Sequence, residues 1–179
     1  MEGSASIDNA VHLQFLRLAL DEAKKCEPTP TAFCVGCVIV IPSSADTSAT
    51  QSMGRVLATG YSRELPGNTH AEANALAKAY TGDKESNSSS IESLLSSADV
   101  YTTMEPCSVR LSGLAPCADA LIKAKISRCI IGVGEPADFV NCEGAQKLID
   151  AGISVAWMKG LEEECLSVAR RGHSGGAQA

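Results

Sequence analysis

The chain has 179 residues, 45% of them apolar and 20% charged, and a net charge of -6. That length supports a single domain spanning 1–179, and the composition is that of an ordinary globular protein. The acidic balance argues against a nucleic-acid partner, and no apolar run approaches the roughly 20 residues needed to cross a bilayer.

Residues 1–9 lack a basic segment followed by an apolar stretch, so no secretory signal is read and a cytoplasmic location is expected. In that reducing compartment the eight cysteines read as free thiols or metal ligands rather than disulfides.

Apolar residues at helical spacing (Val11, Phe15, Leu18) predict a helix over 8–25, stopped by Pro28 and Pro30. The Val, Ile and Cys of 33–41 predict a buried strand. A Ser/Thr/Ala loop (42–52) and a second strand (53–61) follow. Asn68-Thr69 reads as a cap for a helix over 70–80. A Ser-rich loop (81–90), a short helical piece (91–97) and a strand (99–104) come next. Beyond the loop 105–116 the pattern predicts a helix (117–125), a strand (128–133), a helix (142–151), a strand (153–158) and a last helix (161–171). The ends, 1–7 and 172–179, are expected to be flexible, His173 with them. Strands alternating with helices imply a three-layer α/β/α domain around one mixed five-stranded sheet, with parallel pairing in its later part.

Three residues stand out within that frame. His70 opens one predicted helix, and Cys107 and Cys117, each preceded by proline, lie near the start of another. One imidazole and two thiolates make a zinc site with three protein ligands and an open position. Helix amino ends favour thiolate over thiol. Glu72 lies two residues past His70, so its side chain diverges from the imidazole and is free to move protons. Such an acid has no use in a closed structural site, which takes four protein ligands. Cys34 and Cys37 form a C-x-x-C on a predicted buried strand, away from any helix start, and read as structural. Cys26, Cys129, Cys142 and Cys165 take the same reading, and His12 reads as an ordinary helix residue.

The chain resembles the cytidine-deaminase-like superfamily, and within it the riboflavin-biosynthesis pyrimidine deaminases of fungal type. The resemblance is carried by Val35-Gly36-Cys37-Val38-Ile39-Val40, Gly60-Tyr61-Ser62-Arg63-Glu64-Leu65, Gly67-Asn68-Thr69-His70-Ala71-Glu72, Tyr101-Thr102-Thr103-Met104-Glu105-Pro106-Cys107 and Gly132-Val133-Gly134-Glu135-Pro136. Nine residues separate Cys107 from Cys117, longer than the familiar Pro-Cys-x-x-Cys, and Arg110-Leu111-Ser112-Gly113 within that insert looks fungal. The resemblance implies one zinc per chain on His70, Cys107 and Cys117, with Glu72 as proton shuttle. It implies hydrolytic removal of the 2-amino group from 2,5-diamino-6-ribitylamino-4(3H)-pyrimidinone 5′-phosphate, and a homodimer. Ala71, Asn68, Asn74, Glu105, Pro106, Arg110, Ser112 and Glu135 are the expected substrate contacts, with Arg110 and Arg63 as candidates for the phosphate. Thr31-Ala32-Phe33 stands where bacterial relatives have Pro-Asn-Pro, Asn74 where they have a second His, and Glu135-Pro136 where they have Asp-Pro. Three rivals share parts of this evidence: a deaminase of cytosine, guanine or tRNA adenosine, a structural zinc module, and a thiol-redox protein built on Cys34 and Cys37.

Overall fold

A computed structural model describes residues 3–43, 54–82, 88–110, 113–136 and 142–173. In chain order the elements are α1 (Gly3–Lys25), β1 (Gly36–Ile41), β2 (Arg55–Tyr61), α2 (Ala71–Gly82), α3 (Ser88–Ser96), β3 (Asp99–Met104), α4 (Cys117–Lys123), β4 (Arg128–Val133), α5 (Gly144–Asp150), β5 (Ser154–Trp157) and α6 (Glu162–Ala169). The strands form one mixed sheet in the order β2-β1-β3-β4-β5. β1 is antiparallel to both β2 and β3, whereas β3, β4 and β5 run parallel.

Strand alternation builds the three layers. Cys37 and Ile39 of β1 join Val100, Cys129 and Ile131 under α2, α3, α4 and α5. Val38 and Val40 turn the other way and join Tyr101 and Ile130 under α1 and α6. The central strands are therefore apolar on both faces, which is why they read as continuous apolar runs. Among the described residues no helix is long and apolar enough to cross a membrane.

Several boundaries differ from the sequence reading for local reasons. Phe33 to Val35 stay out of the sheet because Cys34 N–H donates to Ala169 (2.9 Å) and Val35 N–H to the Ser62 hydroxyl (3.0 Å). Residues 3–7, expected to be flexible, continue α1. His173, also expected to be loose, is half-buried, and its ring stacks on Phe33 at 4.9 Å. Arg171 anchors this end by donating to the carbonyls of Ala23, Lys24 and Cys26, the last turn of α1 and the residue after it. Most of the loop read at 42–52, residues 83–87 of the Ser-rich loop, and 174–179 lie outside the described residues.

Gly60 sets how close α2 comes to the sheet. A Cβ there would lie 2.4 Å from the Ala71 carbonyl oxygen and 2.5 Å from Ala75 N. Gly60→Ala therefore pushes the amino end of α2, which carries Glu72, off β2. Overpacking of this kind costs about 1–3 kcal/mol, so the urea midpoint falls with an unchanged m-value. An unchanged midpoint would show that the helix has slack the structure does not display.

Candidate metal centre and cleft

His70 immediately precedes α2, Cys107 follows β3, and Cys117 is the first residue of α4. The sheet thus delivers all three from sequence-distant segments. Their ligand atoms lie within 4.8 Å of one another. Cys107 Sγ and Cys117 Sγ are each 3.5 Å from His70 Nδ1. Around a tetrahedral zinc, sulfur at roughly 2.3 Å and nitrogen at roughly 2.0–2.1 Å stand about 3.5 Å apart. The donor set therefore fits the ion in type and in spacing. Among the described residues the group holds three members, one short of a closed structural site.

Electrostatics prepare the sulfurs. A hydrogen bond from the Cys117 thiol, with a further one from His70, brings Cys107 down to about 4. The Cys117 backbone N–H, at the start of α4, also donates to Cys107 Sγ (3.3 Å). The shared proton works the other way on its donors. Hydrogen bonding to Cys107 pushes Cys117 well above the ordinary thiol value and raises His70.

Glu72 lies in the first turn of α2, 3% exposed, and burial raises its pKa above the ordinary carboxyl value. It lines a cleft of about 170 Å³ together with His70 and Cys107. Asn68, Glu105 and Glu135 line the same cleft, as do Thr31, Ala32, Phe33, Val35, Ser62, Arg63 and Met104. Glu105 Oε1 accepts from Ala145 N–H at the start of α5 (2.9 Å), which fixes its carboxylate. Burial raises the Glu135 carboxyl.

The remaining expected contacts are placed differently. Asn74 is buried, and its amide donates to the Tyr61 carbonyl (2.8 Å) and to Thr69 Oγ1 (3.1 Å), so it braces the loop before His70. Thr69 in turn donates to the Leu65 carbonyl (3.1 Å) instead of capping α2. Ala71 packs under Gly60, and the buried Pro106 under Gly144. Arg110 spans from the insert to the Asn68 carbonyl. Arg63 lines the cleft, but its guanidinium donates to the carbonyls of Phe33 (3.1 Å) and Glu27 (2.8 Å). Ser112 lies outside the described residues.

Cys34 and Cys37 part company. Cys37 enters the core under α2, where burial raises its thiol well above the ordinary value. Cys34 is within reach of the Cys26 carbonyl and of Arg63. Both thiols are free and buried, in different surroundings.

Residues 9–133 match the family model described as the cytidine and deoxycytidylate deaminase zinc-binding region. The chain belongs to this family. Zinc is accordingly its cofactor, and His70, Cys107 and Cys117 form the candidate site. The diaminohydroxyphosphoribosylamino-pyrimidine deaminase of Schizosaccharomyces pombe is 44% identical over 162 residues, 90% of this chain and 36% of that protein. The Rib2 deaminase of Aspergillus oryzae (C-terminal deletion mutant, pH 4.6) is 37% identical with a TM-score of 0.77, covering 92% of this chain and 93% of that one. The same deaminase has been solved in complex with DARIPP, at 36% identity and a TM-score of 0.74, covering 89% of this chain and 90% of that one. The chain spans about a third of the length of the curated relatives it matches.

Residues lining the cleft were only partly foreseen. Val35, Ser62 and Met104 stand in runs that carry the resemblance, but nothing in the sequence marks them as cleft residues.

Proposed function

We propose that this chain is a zinc-dependent hydrolase that deaminates 2,5-diamino-6-ribitylamino-4(3H)-pyrimidinone 5′-phosphate to 5-amino-6-ribitylamino-2,4(1H,3H)-pyrimidinedione 5′-phosphate in riboflavin biosynthesis. The observation that carries it is a three-ligand cage and a buried carboxyl opening on one cleft, in a chain 44% identical to a pyrimidine deaminase of that pathway.

When bound, zinc supplies a Lewis acid that brings the pKa of water towards neutrality. Glu72 takes a proton from the attacking water and delivers protons to the ring nitrogen and the leaving amine. The C–O bond forms, the exocyclic C–N bond breaks, and ammonia leaves. The raised pKa of Glu72 suits an acid that must give the proton back. Asn68, Glu105 and Glu135 offer polar groups to the pyrimidine edge. Thr31, Ala32 and Phe33 line the cleft where bacterial relatives have Pro-Asn-Pro, and they offer no side-chain amide there.

The ribityl phosphate needs a cation, and Arg110 donates to the carbonyl of Asn68, a residue that lines the cleft. A charge-assisted contact contributes about 1.5–3 kcal/mol. Arg110→Gln therefore raises KM for the phosphorylated substrate roughly 10- to 100-fold and leaves the dephosphorylated form unaffected. Equal effects on the two would remove Arg110 from this role. The homodimer, which rests on the resemblance alone, belongs to the same proposal, as does the cytoplasmic location expected from the sequence.

The test is ammonia release by the zinc-loaded protein on a panel: the pathway phosphate, its dephosphorylated form, cytosine, cytidine, guanine and a tRNA anticodon stem. Turnover confined to the pathway phosphate and lost with a chelator is the expected result. Turnover on cytosine, guanine or tRNA instead would overturn the substrate assignment.

A further inference from the structure

Thr102 is a polar residue in an apolar place. It lies in the middle of β3, 0% exposed, in register with Cys37 of β1 and Ile131 of β4. Both neighbours belong to the apolar layer under α2. A valine would fill that position equally well, and a hydroxyl buried there is costly unless it is bonded. The hydroxyl is bonded on two sides. Thr102 Oγ1 lies 3.1 Å from Glu72 Oε1 and 2.9 Å from the Met104 carbonyl oxygen.

Among the described residues the Glu72 carboxyl also meets its own backbone N–H and the Cys117 thiol. That sulfur belongs to the metal cage, and a sulfur that ligates as thiolate has no proton to give. With the cage filled, the Thr102 hydroxyl remains as the side-chain contact on Glu72 Oε1. A hydroxyl can both donate and accept, so it holds Glu72 Oε1 whichever way the proton lies. When Glu72 Oε1 carries the proton, the hydroxyl accepts from it and donates to the Met104 carbonyl; when Glu72 is ionised, the single hydroxyl proton goes to Oε1 instead.

We infer that Thr102 is a positioning residue for the deamination, fixing the Glu72 carboxyl against the cleft through its hydroxyl. It touches neither substrate nor metal. The inference rests on the deaminase reading.

The experiment compares Thr102→Val with Thr102→Ser in the zinc-loaded protein, reading kcat, KM, zinc per chain and thermal midpoint. Losing a contact that orients a group at a metal site costs roughly 10- to 100-fold in activity. The expected result is a loss of that size in kcat for Thr102→Val, with KM, zinc content and midpoint unchanged. Thr102→Ser, which keeps the hydroxyl, recovers most of the rate. Wild-type kcat in Thr102→Val would overturn the inference. So would a loss that follows zinc or the midpoint, a change confined to KM, or a serine variant as slow as the valine one. Wild-type turnover on the panel tests the deaminase reading separately. If the wild type acts on another aminopyrimidine, the same comparison is made on that compound. A wild type inert on all of them overturns both.

Discussion

Glu72→Gln keeps its zinc and loses roughly 100- to 10,000-fold in kcat, the range over which a positioned acid–base group acts. Zinc is retained because Glu72 is not one of the three clustered ligands. The carboxamide fits the same space but cannot take a proton from water. The variant also reports on stability. Burial raises the Glu72 pKa, so the folded chain holds this proton to higher pH than the unfolded chain does. Stability therefore falls as pH rises from the ordinary carboxyl value through the raised one. Glutamine has no charge to bury, and metal-free Glu72→Gln loses less of its thermal midpoint between pH 4 and pH 8 than the metal-free wild type. Stopped activity with intact zinc and a flatter pH profile is the expected pair of results. Near-wild-type turnover would mean that another group moves the proton.

Cys107→Ala gives the second large effect, and it acts on the metal first. Cys107 is the sulfur already ionised at neutral pH, and both His70 and Cys117 lean on it. Its removal leaves a two-ligand site, so zinc per chain falls below measurement after dialysis and turnover is lost with it. A ligand present at a thousandfold excess over its dissociation constant stabilises the folded state by about 4 kcal/mol. At this chain length that is roughly 8–16 °C of thermal midpoint. A chelator should lower the wild type to the midpoint of Cys107→Ala and leave the variant where it is. A variant that retains zinc would place the metal on other residues.

The sheet and the metal cage were legible for different reasons. β3 and β4 are buried on both faces and begin at charged residues, so 99–104 and 128–133 could be bounded from composition alone. His70, Cys107 and Cys117 were legible because metal ligation restricts residue type, and soft donors at helix starts have few other uses. The backbone roles of Asn74 and Arg63 were hidden for one reason. Each spends its polar groups on backbone carbonyls of remote segments, and a carbonyl leaves no mark in a sequence. Thr102 was hidden because threonine is an ordinary strand residue and its partner lies 30 positions away. His173 was hidden by its glycine-rich surroundings, which predict a loose end when Arg171 and Phe33 are not seen to hold it.

That anchorage orders events during synthesis. Phe33 belongs to the cleft wall, yet it is backed by His173, while Cys34 bonds to Ala169 and Arg171 closes onto Ala23, 148 positions earlier. Residues 36–133 can pair their central strands and gather the cage while the chain is still being made. The wall made by 31–33 lacks the ring that backs Phe33 until residue 173 clears the ribosome. A nascent chain therefore acquires its metal site before it acquires a complete cleft.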